Sequence, residues 1–380
     1  MVLGRRIRHI YREEGAITLF RKGIGFLREK GVKWILRNTI GKILPAHKIK
    51  YAISFSGFLT AIYFYANRTT THEQRAVLRG HYRYHHKELE RESVEHRLIR
   101  HTHLLEKGIS TRESKRRDVF GEAKAIELVE NVQIAWEQRE DPGADDQLLW
   151  TIDVLHRYFN TVRITPIVKP ARDEFTSFLE EIDYEPKHRS PRRRRTIEED
   201  PVPFDAFQQL VHQRSSTRWF RDEPVPREEL DAAVSLAAQS PSACNRQSYE
   251  FRFYDDQEIL DEIYDLPLGL NSFKENVPCF CVLVGKQRAY YRGTEKNVVF
   301  IDTSLAAMTF QYALETRRLA SCTINWPANT KAHKKVSEIL GLDGDEMVIT
   351  TMAIGYPDPN GKIPYSEKKS IEKLRSYNMG

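Results

Sequence analysis

A short stretch in the second half of the chain concentrates positive charge and hydroxyl groups. Residues 213–220 read QRSSTRWF and include Arg214, Ser215, Ser216 and Arg218. A guanidinium offers a rigid fork of hydrogen-bond donors, and serine adds a short hydroxyl, so the cluster suits the oxygens of a phosphate. The alternative is a pair of solvated surface arginines.

A second stretch, residues 240–247, reads SPSACNRQ and follows a predicted helix. It contains Pro241, Ser242, Asn245 and Gln247. Primary amides donate and accept hydrogen bonds at once, as the edge of a heterocycle requires. Asn245 could instead be an ordinary turn residue after the proline. Phosphate and heterocycle contacts together predict a nucleotide-like cofactor.

From about Phe204 to Leu374 the sequence resembles the nitroreductase family of FMN-dependent oxidoreductases, in a longer, N-terminally extended form. The resemblance rests on the order of "EPVPREEL", "QSPSACNRQSYEF", "FIDTSLAAMTFQYAL", "LASCTINW" and "MAIGYPD". It implies an α+β fold, a three-layer flavin domain in which helices flank a central antiparallel sheet, preceded by an N-terminal helical extension. No G-x-G-x-x-G follows a strand, which argues against a Rossmann nicotinamide domain.

The resemblance assigns four groups of residues to the FMN site. Arg214, Ser215, Ser216 and Arg218 match the first phosphate and ring contacts, and Pro241, Ser242, Asn245 and Gln247 match the loop along the isoalloxazine. Ile324, Asn325 and Trp326 match the segment whose backbone amides approach the flavin; Lys368 and Lys369 match the basic residue that closes the phosphate site. Either lysine could serve, or both could be solvated tail residues.

The resemblance also implies an activity. Electrons from a reduced donor, NAD(P)H, pass through the flavin to a small-molecule acceptor: a nitro compound, a quinone, an enone or a sugar-related molecule. The choice between NADH and NADPH stays open, and no catalytic side chain or metal site is assigned. The competing interpretation is a membrane-face scaffold, or a flavin-binding partner without catalysis, in polysaccharide or envelope assembly.

Composition fits a folded protein of a reducing compartment. The 380 residues are 40% hydrophobic, enough for a sizeable core. All four cysteines lie in the C-terminal half, and none forms a C-x-x-C pair. Cys279 and Cys281 alternate in an apolar run, which predicts core packing on one strand face. We therefore expect a cytoplasmic protein, peripheral to the inner membrane face if its N-terminus binds lipid.

The N-terminus carries the basic character of the chain. Residues 1–50 hold 13 Lys/Arg and 3 Asp/Glu, a net of +10, so the remainder carries −4 of the total of +6. Short basic amphipathic helices with glycine joints are predicted here, followed by an uncharged run over 51–66 that is too short to span a bilayer. Peripheral contact with an anionic membrane is one interpretation, and docking on the protein's own core or on a partner chain is the other. The arginine run near residue 193 is not interpreted as a nucleic-acid site, because no aromatic residues interleave with it.

Four parts are predicted: a basic and apolar N-terminal segment (1–70), a helical domain (71–184), a proline- and arginine-rich linker (185–203) and the FMN-binding domain (204–380). Helices are expected over 73–105 with a glycine stop at Gly108, and over 119–137, 146–162 and 172–182. The segment from His101 to Val129 could form a lid over the cofactor or a plain helix-loop-helix. Six histidines between His81 and His103 are interpreted as a solvated basic face.

In the C-terminal domain the pattern predicts helices over 204–212, 227–239, 298–314 and 331–340, and strands over 249–254, 278–285, 320–324 and 347–354. The helix over 298–314 is apolar around its whole circumference. One sheet cannot cover such a helix, so a second surface must bury the remainder. The N-terminal helices of the same chain could supply that surface, or a second copy of the chain. Together with the family resemblance the pattern predicts a homodimer with the cofactor sites between the subunits.

Overall fold

The computed structural model describes residues 54–57, 60–63, 71–88, 94–187, 189–193, 202–327 and 329–378. The chain divides into two compact units, Met1–Gln74 with Ala328–Lys334 and Arg75–Pro327 with Lys335–Gly380. The predictions for residues 1–50 and for most of the apolar run 51–66 lie outside the described residues. Among the helices that are described, none has the length and apolar character needed to cross a membrane.

The described residues between 71 and 183 are largely helical, as predicted. Its helices are α1 (Thr71–Arg83), α2 (Glu95–Ile109), α3 (Glu122–Gln138), α4 (Asp146–Phe159) and α5 (Lys169–Glu181). Helices α2, α3 and α4 pack on one another, and α5 packs on α3. Their apolar stripes form one buried core that includes Leu98, Leu105, Leu128, Ile152 and Leu155.

The predicted glycine stop at Gly108 is wrong. Helix α2 continues to Ile109 and is capped by Ser110, whose backbone N–H donates to Glu106 O at 2.8 Å. The glycine serves packing instead, since a Cβ at residue 108 would lie 2.1 Å from the Phe120 ring. The loop before α3 can approach α2 only because residue 108 has no side chain.

The histidine-rich stretch is not a uniformly solvated face. His85 is exposed, but His96 and His101 are buried at 9% and 6% exposure. Burial lowers the pKa of both, and that of His101 falls to about 4. Two of these six imidazoles are therefore buried and not solvated.

The start of the predicted linker is fixed to the helical region. The carboxylate of Asp153, on α4, accepts the backbone N–H groups of Lys187 and Arg189 at 2.9 and 3.0 Å and the hydroxyl of Tyr184 at 3.0 Å. Asp153 is buried, so these bonds satisfy an otherwise costly charge. The domain boundaries predicted at 184/185 and 203/204 stay predictions.

The C-terminal region contains helices α6 (Phe204–Gln213), α7 (Arg227–Ala237), α8 (Gln257–Ile263), α9 (Val298–Thr316), α10 (Thr330–Leu340) and α11 (Ile371–Leu374). Its strands are β1 (Tyr249–Tyr254), β2 (Cys279–Lys286), β3 (Ala320–Ile324) and β4 (Glu346–Gly355). The predicted helices and strands are confirmed, with ends shifted by one or two residues. Gly341 adopts φ +61° and ends α10, as expected for a glycine cap.

The four strands form one antiparallel sheet in the order β1-β2-β4-β3. Cys279, Cys281 and Leu283 of β2 share the face that packs on α7 and α9, which confirms the predicted core role of both cysteines. On the other face Phe280 packs edge-to-face on Tyr264, at the end of α8. Helices therefore cover both faces of the sheet, as the predicted three-layer α+β fold requires.

Candidate functional site

The arginine-serine segment lies along the free edge of β3. Ser216 forms a parallel bridge with Ser321, and Thr217 N–H donates to Ser321 O at 3.1 Å. At its far end Phe220 bridges Pro357 beyond β4, and its carbonyl accepts the Asn276 side chain at 2.9 Å. Backbone bonds at both ends thus fix residues 216–220 in an extended conformation against the sheet.

A buried carboxylate on α9 anchors the start of this segment. Glu315 accepts the backbone N–H of Ser215 and the side-chain amide of Gln213, the latter at 3.3 Å. Burial raises the pKa of Glu315, while these hydrogen bonds and the positive charge of Arg214 oppose the rise. The guanidinium of Arg214 is thereby placed beside a fixed carboxylate.

Both arginines of the segment act electrostatically on one point of β3. Burial raises the pKa of the Cys322 thiol, and the positive charges of Arg218 and Arg214 both oppose that rise. Arg218 Nη1 also donates to Ser216 O at 3.4 Å, and its guanidinium stands 6.0 Å from the Phe273 ring centre. The two predicted phosphate-binding arginines therefore both lie within electrostatic range of Cys322.

The loop of residues 241–247 has a strained backbone. Cys244, Asn245 and Gln247 have φ values of +55°, +56° and +44°, a region that residues other than glycine rarely adopt. Ser242 Oγ accepts the backbone N–H of Gln247 at 3.1 Å, and Gln247 Nε2 donates to Asn245 Oδ1 at 3.3 Å. The two predicted amide side chains therefore lie together, oriented by the loop itself.

A second buried carboxylate on α9 anchors this loop. Both oxygens of Asp302 accept the backbone N–H of Ala243 at 3.1 Å, and Oδ2 also accepts the Tyr290 hydroxyl at 2.9 Å. That hydroxyl in turn hydrogen-bonds to Ser248 Oγ. Burial raises the pKa of Asp302, and the bond from Ala243 opposes the rise most strongly. This network of hydrogen bonds stabilises the strained backbone of the loop.

Arg246, which the sequence interpretation did not single out, is a structural member of the same loop. Its guanidinium is almost fully buried, donates to Ala243 O at 2.8 Å and Ala289 O at 2.9 Å, and pairs with Glu295 at 2.6 Å. It also stands 4.6 Å from the Tyr290 ring centre. Such a paired, hydrogen-bonded charge orients the loop more than it binds ligand.

The helical extension reaches the same loop, because α2 packs against residues 243–245. Arg100, on α2, donates to the Tyr291 hydroxyl at 3.0 Å and stacks over that ring at 4.2 Å. Tyr291 follows Tyr290 in the chain, so Arg100 connects α2 to the residue next to the Asp302 network. The predicted lid role of residues 101–129 stays a prediction.

The segment after β3 contains the three residues whose backbone amides are predicted to approach the flavin. Ile324 ends the strand and is buried, and Asn325 O accepts the backbone N–H of Leu268 at 2.9 Å. Trp326 is buried at 7% exposure, and its indole Nε1 has no hydrogen-bond partner among the described residues. The buried Ser321 hydroxyl likewise has none there. Because buried polar groups are normally satisfied, these two atoms fit a bound polar cofactor.

Lys368 and Lys369 lie in an exposed C-terminal tail. Lys368 Nζ donates to Ser366 O at 2.7 Å, a carbonyl of the same tail. Their role in closing a phosphate site stays a prediction.

The C-terminal region is thus an α+β domain whose site segments are held by one central helix. Residues 211–278 and 265–356 match the family model described as Nitroreductase family. By this match, residues 211–356 are similar to the nitroreductase family, a family of flavoprotein oxidoreductases.

Two curated relatives are iodotyrosine deiodinases. The chain is 24% identical to iodotyrosine deiodinase 1 of Rattus norvegicus over 202 residues, covering 44% of this chain and 68% of the relative. It is also 24% identical to the iodotyrosine deiodinase of Hydra vulgaris over 220 residues, covering 50% and 79%.

Solved structures similar to the chain include an FMN-dependent nitroreductase from Clostridium difficile, at 26% identity and a TM-score of 0.39, with coverage of 45% of this chain and 98% of that one. A nitroreductase family protein from Streptococcus pneumoniae shows 20% identity and a TM-score of 0.40, with coverage of 45% and 99%.

Proposed function

We propose that the C-terminal domain binds FMN and acts as an FMN-dependent oxidoreductase. The observation that carries the proposal is that the arginine-serine segment bridges β3 at Ser321, whose buried hydroxyl has no hydrogen-bond partner among the described residues, with Arg214 and Arg218 near enough to act on Cys322. Two fixed cations and several hydroxyls at the edge of a sheet form a donor set for one terminal phosphate.

The remaining site residues would hold the ring. The amides of Asn245 and Gln247, already paired to each other, can turn donors and acceptors toward a pyrimidine edge. The backbone of Ile324–Trp326 and the free indole N–H of Trp326 would offer donors where negative charge develops on reduction. Lys368 or Lys369 would add a point charge to the phosphate.

When bound, the flavin supplies two-electron chemistry, accepting a hydride from a reduced donor and passing the electrons to a second substrate. We assign NADH or NADPH as the electron donor and a nitro compound, quinone, enone or sugar-related molecule as the acceptor. The protein's part is to bind, orient and exclude water, and we assign no side chain as nucleophile or general acid.

The site is proposed to lie between two copies of the chain. Asp302 and Glu315, which anchor the two loops, are separated by about 20 Å along α9 at the usual rise of an α-helix. Near Asp302, Ile301 and Leu305 are exposed at 57% and 42%. A second copy seated on this apolar face would bury it and bring another set of loops to the helix.

The experiment is to purify the full chain, release the cofactor by denaturation and identify it by chromatography. FMN is expected, because the donors match one terminal phosphate. FAD, or no flavin after reconstitution, contradicts the proposal. Stopped-flow bleaching of the flavin by NADH or NADPH then tests the electron donor. A yellow protein that neither reductant bleaches supports the alternative of a flavin-binding partner without catalysis.

Reductive dehalogenation is a second candidate reaction, favoured by the similarity to the two iodotyrosine deiodinases. The aryl carbon–iodine bond would break with uptake of two electrons and one proton, giving the aryl C–H and iodide; the electrons come from the reduced flavin and the proton from solvent. Iodide release from iodotyrosine by the dithionite-reduced protein tests this. Reoxidation of the flavin by a nitroaromatic or quinone without iodide release favours the first class of acceptor.

A further inference from the structure

The helical region contains a polar cleft lined entirely by residues between 109 and 193. Its volume is about 770 Å³. The charged residues that line it are Arg112, Arg116, Arg157, Arg192, Arg193 and Glu113. Five arginines and one glutamate therefore line a concave surface of small-molecule size.

Separate elements bring these arginines together. Arg112 follows the end of α2, Arg157 lies in the last turn of α4, and Arg116 Nη1 donates to Ile109 O at 3.5 Å. Arg192 and Arg193 enter the cleft because Asp153 holds the segment just before them through the backbone of residues 187 and 189. A buried carboxylate of the helical core thus fixes the start of the arginine run.

The excess of positive charge in the cleft favours the binding of an anion. Like charges gathered in a concave surface repel one another, and they focus a positive potential into the cleft. Guanidinium groups bind phosphate and carboxylate oxygens through paired hydrogen bonds. A ligand with two or more anionic groups would neutralise several of the five arginines at once.

The hydroxyl groups of the lining add a second requirement. Ser110 and Thr111 donate their hydroxyl protons to Lys107 O at 3.2 and 2.9 Å, and Thr161 donates its own to Arg157 O at 2.7 Å. With their protons used on backbone carbonyls, the three oxygens offer acceptor lone pairs to a ligand. A ligand with hydroxyl donors of its own would complement them.

We propose that this cleft binds a small polyhydroxylated polyanion of the sugar-phosphate class. None of the described residues that line it is aromatic, so recognition would rest on charge and hydroxyl groups and not on stacking of a base. The site is independent of the proposed flavin chemistry, because its lining contains no residue of the two site loops.

The test is isothermal titration calorimetry of the intact protein with fructose 1,6-bisphosphate at fixed ionic strength. Arg112→Gln and Arg157→Gln should each weaken binding by about tenfold, as expected for loss of one charge-assisted contact at an exposed site. Arg172→Gln, an exposed arginine on α5 outside the cleft, should leave the affinity unchanged. Equal melting temperatures for the three variants show that the fold is intact.

Three results overturn the proposal. The first is an affinity that Arg112→Gln and Arg157→Gln leave unchanged. Another is pyrophosphate binding as tightly as the bisphosphate, because the hydroxyl acceptors then contribute nothing. The last is binding that occurs only after Glu198→Gln, Glu199→Gln and Asp200→Asn are combined, since the chain's own acidic triplet would then be the occupant.

Discussion

Asp302 and Glu315 lie on the same helix, and each buried carboxylate accepts the backbone N–H of a different site segment. Asp302 holds Ala243 in the amide-bearing loop, and Glu315 holds Ser215 in the arginine-serine segment. Asp302 and Glu315 are the two acidic residues of helix α9. The central core helix therefore sets the spacing between the two halves of the candidate cofactor site.

The first prediction concerns this anchoring. Asp302→Asn should weaken FMN binding by about tenfold, because the strained loop loses hydrogen bonds to a charged acceptor. Asp261→Asn, an exposed carboxylate on α8, is the matched control. Fluorescence titration of the stripped proteins with FMN measures both dissociation constants. Equal affinity of Asp302→Asn and the wild type contradicts a positioning role.

A second prediction tests the phosphate contact. Arg214→Ala should weaken FMN retention by about 1.5–3 kcal/mol, the usual contribution of a hydrogen bond to a charged group. Arg227→Ala removes an exposed arginine that pairs with Asp255 at 2.9 Å, so its FMN affinity should stay at the wild-type value. An unchanged dissociation constant for Arg214→Ala would show that this residue is an ordinary solvated surface charge.

Periodicity and cap residues predicted the four strands and four of the six described helices of the C-terminal region; the short helices α8 and α11 were missed. Local patterns determine such elements: β2 is a short apolar run, and Gly341 stops α10. Residues that act through tertiary contact were missed. Nothing local indicates that Gly108 receives the Phe120 ring or that α2 packs on residues 243–245.

One signal for the anchors was nevertheless present in the sequence. Two carboxylates inside an apolar helix are costly to bury unless they are hydrogen-bonded, so Asp302 and Glu315 had to have partners. Their partners, at residues 243 and 215, lie far away in the chain, and only the fold identifies them. Arg246 was similarly visible as a charge within the loop, but its burial was not.

A third prediction concerns pH. His101 lies among Arg97, Arg100 and Lys124, and its Nδ1 is 3.3 Å from Glu127 Oε2. Burial is the main reason that its pKa falls from 6.5 to about 4. The unfolded chain therefore binds a proton on this imidazole more readily than the folded chain does. The contribution of His101 to the free energy of unfolding is fully present above pH 6.5 and is lost as the pH falls toward 4.

This group should cost about 2 kcal/mol of unfolding free energy between pH 7 and pH 5. Urea denaturation at the two pH values measures the loss. Between pH 7 and pH 5, the unfolding free energy of His101→Gln should fall by about 2 kcal/mol less than that of the wild type. His85→Gln, at an exposed position, should behave as the wild type does. An equal pH-dependent loss in His101→Gln and the wild type contradicts the prediction.

The fourth prediction is that the N-terminus binds anionic vesicles reversibly. A net charge of +10 in residues 1–50 would add electrostatic attraction to the apolar faces of the amphipathic helices predicted from the sequence. Flotation should fall when residues 1–66 are removed and when neutral vesicles replace anionic ones. Equal flotation of both chains argues against the idea, and binding that survives high salt indicates insertion into the bilayer instead.

The last prediction is a homodimer that shares its cofactor sites. Ile301 and Leu305 are four residues apart on α9, so they share one face, and the described helices leave that face exposed. An apolar face on the helix that anchors both site loops is where a second copy would complete the site. Phe310 and Leu314, farther along α9, are buried against the sheet of the same chain.

Combining Ile301→Lys with Leu305→Lys should give a folded monomer that retains little FMN, because the charges oppose burial of the face in a second copy. Ile259→Lys, a partly exposed apolar position on α8, should leave a wild-type dimer. Light scattering and flavin absorbance at micromolar concentration measure both outcomes. A wild-type monomer that keeps its FMN contradicts the shared site, whereas a dimer that loses FMN on dilution supports it through mass action.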